Sequence, residues 1–156
     1  MDLQANGFEV LFGASWIWRN AGPQAGPSAW ERIEIGSELE RWEAVWKQAG
    51  SPAPERMFAA TLLERNDIVF LGYRVDGVIE AGCIANISEQ CIGISNVFSR
   101  APSEHVFAQA AAAVAAVAPD LPVAGYESGA DLGHARRAGF TVVSDLRILV
   151  AKAARF

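Results

Sequence analysis

The sequence holds only two cysteines, Cys83 and Cys91, and two histidines, His105 and His134. Two cysteines cannot build a structural zinc site, and histidines so far apart lack a metal-ligand spacing. On the hairpin read below the two thiols do not face each other, so no disulfide is expected. Basic residues are also in deficit, 13 Lys and Arg against 18 Asp and Glu, for a net charge of −5. No Lys/Arg stripe with interleaved aromatics offsets that balance, so a nucleic-acid partner is not expected. Long apolar runs are missing too. The longest, Val106 to Ala118, is mostly alanine, contains Gln109, and is too short to span a bilayer. The opening MDLQANGF has neither the basic nor the apolar region of a secretory signal. A cytoplasmic protein without a membrane partner is the expectation.

What is present is a globular composition: 156 residues, 51% hydrophobic and 20% charged. That length fits one domain, and such a domain buries roughly two thirds of its unfolded surface. Phe8 to Trp18 is rich in β-formers and reads as a strand, with a break at Gly13 as one option. The segment AGPQAGPS, residues 21–28, reads as a loop, and Trp30 to Ile35 as a short strand. Ser37 and Glu40 form a capping-box pattern for a helix to about Gln48. Leu39, Trp42, Val45 and Trp46 make its apolar face, with Glu43 and Lys47 paired on the other side. Arg56 to Leu63 reads as a short second helix.

Ile68 to Ser99 reads as a three-stranded antiparallel meander. Asp76-Gly77 is its first turn and Glu89-Gln90 its second. Gly82 falls inside the middle strand, where glycine marks a bulge or a close backbone approach. By alternation Ile92, Ile94, Asn96 and Phe98 share one face of the third strand. A helix follows over Ser103 to Ala118, with Phe107, Ala110, Ala111, Val114 and Val117 as its buried stripe. The next segment, LPVAGYESGADLGHARRAGF, is a short strand, a helix opened by Ser128 with Asp131 completing a second capping box, and a Gly139-Phe140 stop. Phe140 to Ala151 reads as strand throughout or as a bulged pair. Helical crossovers require the strand near Ile94 to run parallel to the strand near Val123. The expected architecture is α/β (α+β): a mixed central sheet, an antiparallel meander then a parallel strand, with helices on both faces.

Over roughly Ile68 to Val150 this order of elements resembles the GNAT superfamily, the acyl-CoA-dependent N-acetyltransferases. IVFLGYRVDGVIEAGCIA is similar to the family's central hairpin, with Gly82 at the usual glycine. ADLGHARRAGF is similar to its closing helix. The resemblance implies a single domain over 1–156, with 1–66 on the acceptor side and 67–156 holding acetyl-CoA or another acyl-CoA. It implies attack of a small-molecule amine on the thioester, with no metal. The family's glycine-rich pyrophosphate loop corresponds here to Pro102-Ser103-Glu104-His105-Val106-Phe107, which has no glycine. The tyrosine common on the closing helix corresponds to Ala135.

Candidate residues follow. Glu127 lies past the carboxyl end of a parallel strand, where open sheets bind ligands, and is the candidate base. Tyr126 or His134 could protonate the departing sulfur. The resemblance places the carbonyl's backbone donor at Val97 or Phe98, and the pyrophosphate at Ser103 and His105. Arg100 could pair with a phosphate. Asn96 either lines the acceptor pocket or bonds neighbouring backbone. Each has a plainer reading as a solvated charge, a surface ring or, for the tryptophans, core. A catalytically silent module that binds a metabolite or protein is the alternative function, motivated by the missing glycines and tyrosine. A homodimer through the tryptophan-rich N-terminal strands is a third reading.

Overall fold

The computed structural model describes residues 6–22, 29–51 and 53–151. The expected loop at 21–28 therefore lies mostly outside the described residues. Seven strands form one mixed sheet: β1 (Phe8–Arg19), β2 (Trp30–Arg32), β3 (Ile68–Val75), β4 (Val78–Ile87), β5 (Ile92–Ser99), β6 (Val123–Glu127) and β7 (Thr141–Ala151). Three helices accompany them: α1 (Gly36–Gln48), α2 (Val106–Val117) and α3 (Gly129–Arg137), with a 3-10 turn at Ala60–Glu64 in place of the expected second helix. The sheet order is β2-β3-β4-β5-β6-β1-β7. The meander β3-β4-β5 is antiparallel, and β5 pairs parallel with β6, as alternation and crossover length require.

The placement of β1 was not foreseen. It does not stay with the N-terminal elements but enters between β6 and β7, antiparallel to both. Gly13 does not break it. Two register shifts, between Val10 and Phe12 and between Trp16 and Ile17, bend it instead.

Each sheet face has its own core. On one side α2 and α3 cover Ile17, Leu71, Cys83, Ile92, Ile94 and Val123. Alanines let α2 approach closely, and Ala110, Ala111 and Val114 are fully buried. On the other side α1 seats Leu39, Trp42 and Val45 against Phe70, Ile84 and Phe98. Gly82 is the reason Trp42 fits. A Cβ there would stand 2.4 Å from the indole nitrogen and 2.5 Å from the Phe98 ring. That nitrogen donates to the Leu71 carbonyl at 2.8 Å, so the ring enters the core with its polar atom satisfied. Trp30 is also core, whereas Trp16 is 41% exposed and packs edge-on against Tyr126.

Both expected capping boxes fail to form. At α1 the first helical bond is Leu39 N–H to Ile35 O, so the helix has begun before Ser37 and its hydroxyl falls inside the first turn. At α3, Ser128 is the N-cap, but Gly129 takes φ 55° and turns the chain away before the helix proper, and no side-chain cap bond forms. The C-terminal stop matches expectation. Gly139 has φ 87°, and Phe140 N–H reaches back to Ala135 O at 3.1 Å, as in a Schellman motif. Glu43 corrects the reading of α1. It is buried rather than solvated, ion-paired to Lys47 at 2.8 Å, and accepts from the Met57 and Phe58 amides. Burial works against its charge, but Lys47 and those two amides outweigh it and hold the carboxyl below its ordinary value.

Candidate active site

The parallel neighbours β5 and β6 pair only at Ile92–Val123 and Gly93–Ala124. Past that point β5 runs on to Ser99 and β6 to Glu127 without further pairing. The cause lies in β5. Asn96 adopts φ 52°, and the β4–β5 register shifts between Gly82 and Ile84. This bulge re-aims the strand's end. Ile92 and Ile94 face the α2 core, whereas Phe98 faces the α1 core. Strict alternation therefore fails for Asn96, which is exposed and bonds Ser95 through its amide at 3.3 Å. It is not a polar group buried among apolar neighbours.

A cavity of about 500 Å³ occupies the opening. Its walls include Val97, Phe98 and Ser99 on β5, the loop residues Arg100 and Ser103, and Glu127 across the gap. Asp131 and His134 on α3 line it too, and the end of α1 at Gln48–Gly50 adjoins. Of the expected site residues, Glu127, His134, Val97, Phe98, Arg100 and Ser103 thus meet around one space. Three do not. Tyr126 directly precedes Glu127 on the strand, so by alternation it lies on the opposite sheet face, against Trp16. His105 is exposed beside Glu104, and Asn96 is turned out by the bulge. Neither is among the residues that line the cavity.

Glu127 stands out electrostatically. It is half-buried, and its side chain makes no hydrogen bond or ion pair among the described residues. Desolvation first, and then the charge of Asp131, push its carboxyl up to about 7. A carboxylate with that value is ionised in about half the molecules at neutral pH, and it holds a proton far better than an ordinary glutamate. His134 Nδ1 lies 3.5 Å from Asp131 Oδ1, an i,i+3 contact on α3. Asp131 therefore stands between the two groups: it lies beside His134 and raises Glu127. Sequence reasoning missed Asp131, which it assigned to a cap.

The end of the cavity where the resemblance places the pyrophosphate is built differently from a glycine loop. Ser103 Oγ accepts from His105 N–H at 3.3 Å, and Val106 N–H bonds Ser103 O at 3.4 Å. These bonds turn the chain into α2, whose first residues border the cavity. Arg100 leans toward Glu80, 3.7 Å away, at the cavity rim.

A mixed sheet whose two parallel strands part beside a helix N-terminus, with a desolvated carboxyl at the mouth, is an α/β arrangement that leaves a crevice at the strands' carboxyl ends. Comparison with solved structures narrows it to the GNAT fold. The chain superposes on a protein from Novosphingobium aromaticivorans assigned to the GNAT family, with a TM-score of 0.66 at 16% identity over 94% of this chain and 69% of the other. A GCN5-related N-acetyltransferase from Kribbella flavida gives 0.64 at 17% identity, covering 98% of this chain and 63% of that one. Another from Sphaerobacter thermophilus gives 0.62 at 12%, covering 94% and 53%. The chain thus spans between 53% and 69% of the length of these three structures. No protein-family model matches the sequence, and no curated protein matches it. Among the described residues no helix is long and apolar enough to cross a membrane.

Proposed function

We propose that the chain is an acyl-CoA-dependent N-acyltransferase that moves an acyl group, acetyl in the simplest case, from a thioester to a small amine. The observation that carries this is the unpaired stretch of β5 and β6 with Glu127 at its mouth. A pantetheine arm is a narrow, amide-bearing chain, and a parted strand pair offers it both space and free backbone groups. Glu127 takes a proton from the acceptor's ammonium. The neutral nitrogen attacks the thioester carbonyl, so a C–N bond forms and the C–S bond breaks. Backbone N–H at Val97 or Phe98 stabilises the oxyanion. The departing thiolate takes a proton from the protonated His134 beside Asp131, the attacking nitrogen gives up its second proton to solvent, from which His134 is reprotonated, and amide and free CoA thiol leave. At the other end the first turn of α2 and Arg100 receive the pyrophosphate.

The catalytically silent alternative requires the loop over residues 100–105 to fill the slot. Arg100, Pro102 and Ser103 instead wall it and leave it open, which favours the catalytic reading. Calorimetric titration with CoA tests the proposal: heat with a dissociation constant below millimolar supports it, and no heat at millimolar CoA rules it out.

A further inference from the structure

A second cavity lies beside the first and shares one residue with it. It measures about 610 Å³ and is lined by Gly13 and Ser15 of β1, Asp145 and Arg147 of β7, Glu127, and the start of α3 at Ser128 and Gly129. Among the described residues Glu127 alone borders both spaces. A residue so placed can touch one molecule on each side, which a reaction between two substrates needs.

The insertion of β1 creates the second cavity's floor. Ser15 pairs with Glu127 on one side and with Asp145 on the other. The three therefore form a row across three strands, with the end residues roughly 10 Å apart. Gly13 pairs with Arg147. Arg147 lies two residues beyond Asp145, so both project from the same face. A Cβ on Gly13 would meet only the Leu146 carbonyl, at 4.0 Å, so this part of the floor is open. Asp145 and Arg147 are both exposed, and neither side chain makes a hydrogen bond or ion pair among the described residues. The groove thus presents two carboxyls at one end and a guanidinium at the other, all uncommitted.

We propose that this groove is the acceptor site and that its acceptor is a small zwitterionic amine, one bearing a carboxylate as well as its ammonium group, as an amino acid does. The ammonium lies over Ser15, between Glu127 and Asp145, and the carboxylate pairs with Arg147, whose planar fork matches it. Asp145 holds the ammonium end without taking its proton. Glu127 takes it, and the freed nitrogen faces the thioester cavity across the same side chain. The assignment rests on the acyl-transfer reading for its chemistry, but binding in the groove needs no CoA.

The test uses that independence. Purified protein is mixed with the common amino acids and with their decarboxylated amines, and binding is followed by ligand-observed saturation-transfer NMR, with and without CoA. One or more amino acids should bind, with the matching amine at least tenfold weaker. Arg147→Ala should weaken the amino acid more than tenfold and leave the amine unchanged. Arg147→Lys should recover part of the loss. Asp145→Asn should weaken both. Circular dichroism checks that each variant folds, and the calorimetric constant for CoA should stay at its wild-type value. If amines bind as well as amino acids, if Arg147→Ala changes nothing, or if no amino acid binds, the assignment is overturned. Asp145 and Arg147 are then ordinary charges protecting an edge strand. If amino acids bind as described while CoA does not, the groove stands and the acyl-transfer reading falls.

Discussion

Replacing Glu127 with glutamine separates its electrostatic cost from its chemistry. In the unfolded chain this carboxyl titrates near 4.5, and in the folded protein near 7. Between those values the folded state keeps a proton that the unfolded state has released. Glu127 therefore costs nothing at acid pH, and its penalty grows as pH rises from 4.5 and is complete above 7. A shift from 4.5 to about 7 corresponds to roughly 3 kcal/mol. Partial solvent screening of a half-buried group reduces that to about 2 kcal/mol. Glutamine is always neutral, so Glu127→Gln should exceed the wild type by only about 0.5 kcal/mol at pH 5 and by about 2 kcal/mol at pH 8.5. Urea unfolding at the two pH values reads this directly: a gain of 2 kcal/mol moves the midpoint by roughly 1 M. Added salt should shrink the part of the difference that Asp131 supplies. A variant as much weaker or stronger at pH 5 as at pH 8.5 would refute the reasoning, because the side chain would then act through packing alone.

Other expectations are as specific. Glu127→Gln should lower kcat for acyl transfer by about 100-fold or more, with loss of the pH-rate limb near 7, measured by CoA thiol release. Gly82→Ala should cost about 1–3 kcal/mol in thermal or urea unfolding, because its Cβ meets the Trp42 and Phe98 rings, and it should dim or shift tryptophan fluorescence. Glu43→Ala should cost about 2 kcal/mol, since it strands the Met57 and Phe58 amides. A thiol reagent should titrate Cys91 alone in native protein and both cysteines in denaturant, because Cys83 is buried and burial pushes its thiol up.

Much of the fold was legible because it is written locally. Alternation with the Asp76-Gly77 turn marks the β3–β4 hairpin, and both residues do take positive φ. The alanine stripe marks α2, and Gly139-Phe140 marks the end of α3. Non-local choices were not legible. Nothing in Phe8 to Arg19 says that the strand passes its nearest neighbours in sequence to lie between β6 and β7, since strand pairing at that separation leaves no local trace. The position of β1 in turn decides that Ser15, Asp145 and Arg147 meet Glu127. Asn96 misled for a related reason. Period two holds only while the strand is regular, and the bulge turns Asn96 out and sends Phe98 to the other face. Glu43 and Asp131 were read by helix position alone, as a surface pair and a cap. Their tasks depend on backbone from Met57–Phe58 and on a strand end at Glu127, which helix periodicity does not encode.

The slot between β5 and β6 carries the whole account, and a crystal grown with acetyl-CoA examines it directly. The thioester arm should lie between Val97 and Glu127, its carbonyl oxygen within hydrogen-bond reach of the Val97 or Phe98 amide, and its pyrophosphate against the backbone of Ser103 to Val106. Acetyl-CoA bound elsewhere on the molecule, with the two strands unoccupied beyond Gly93 and Ala124, would contradict it.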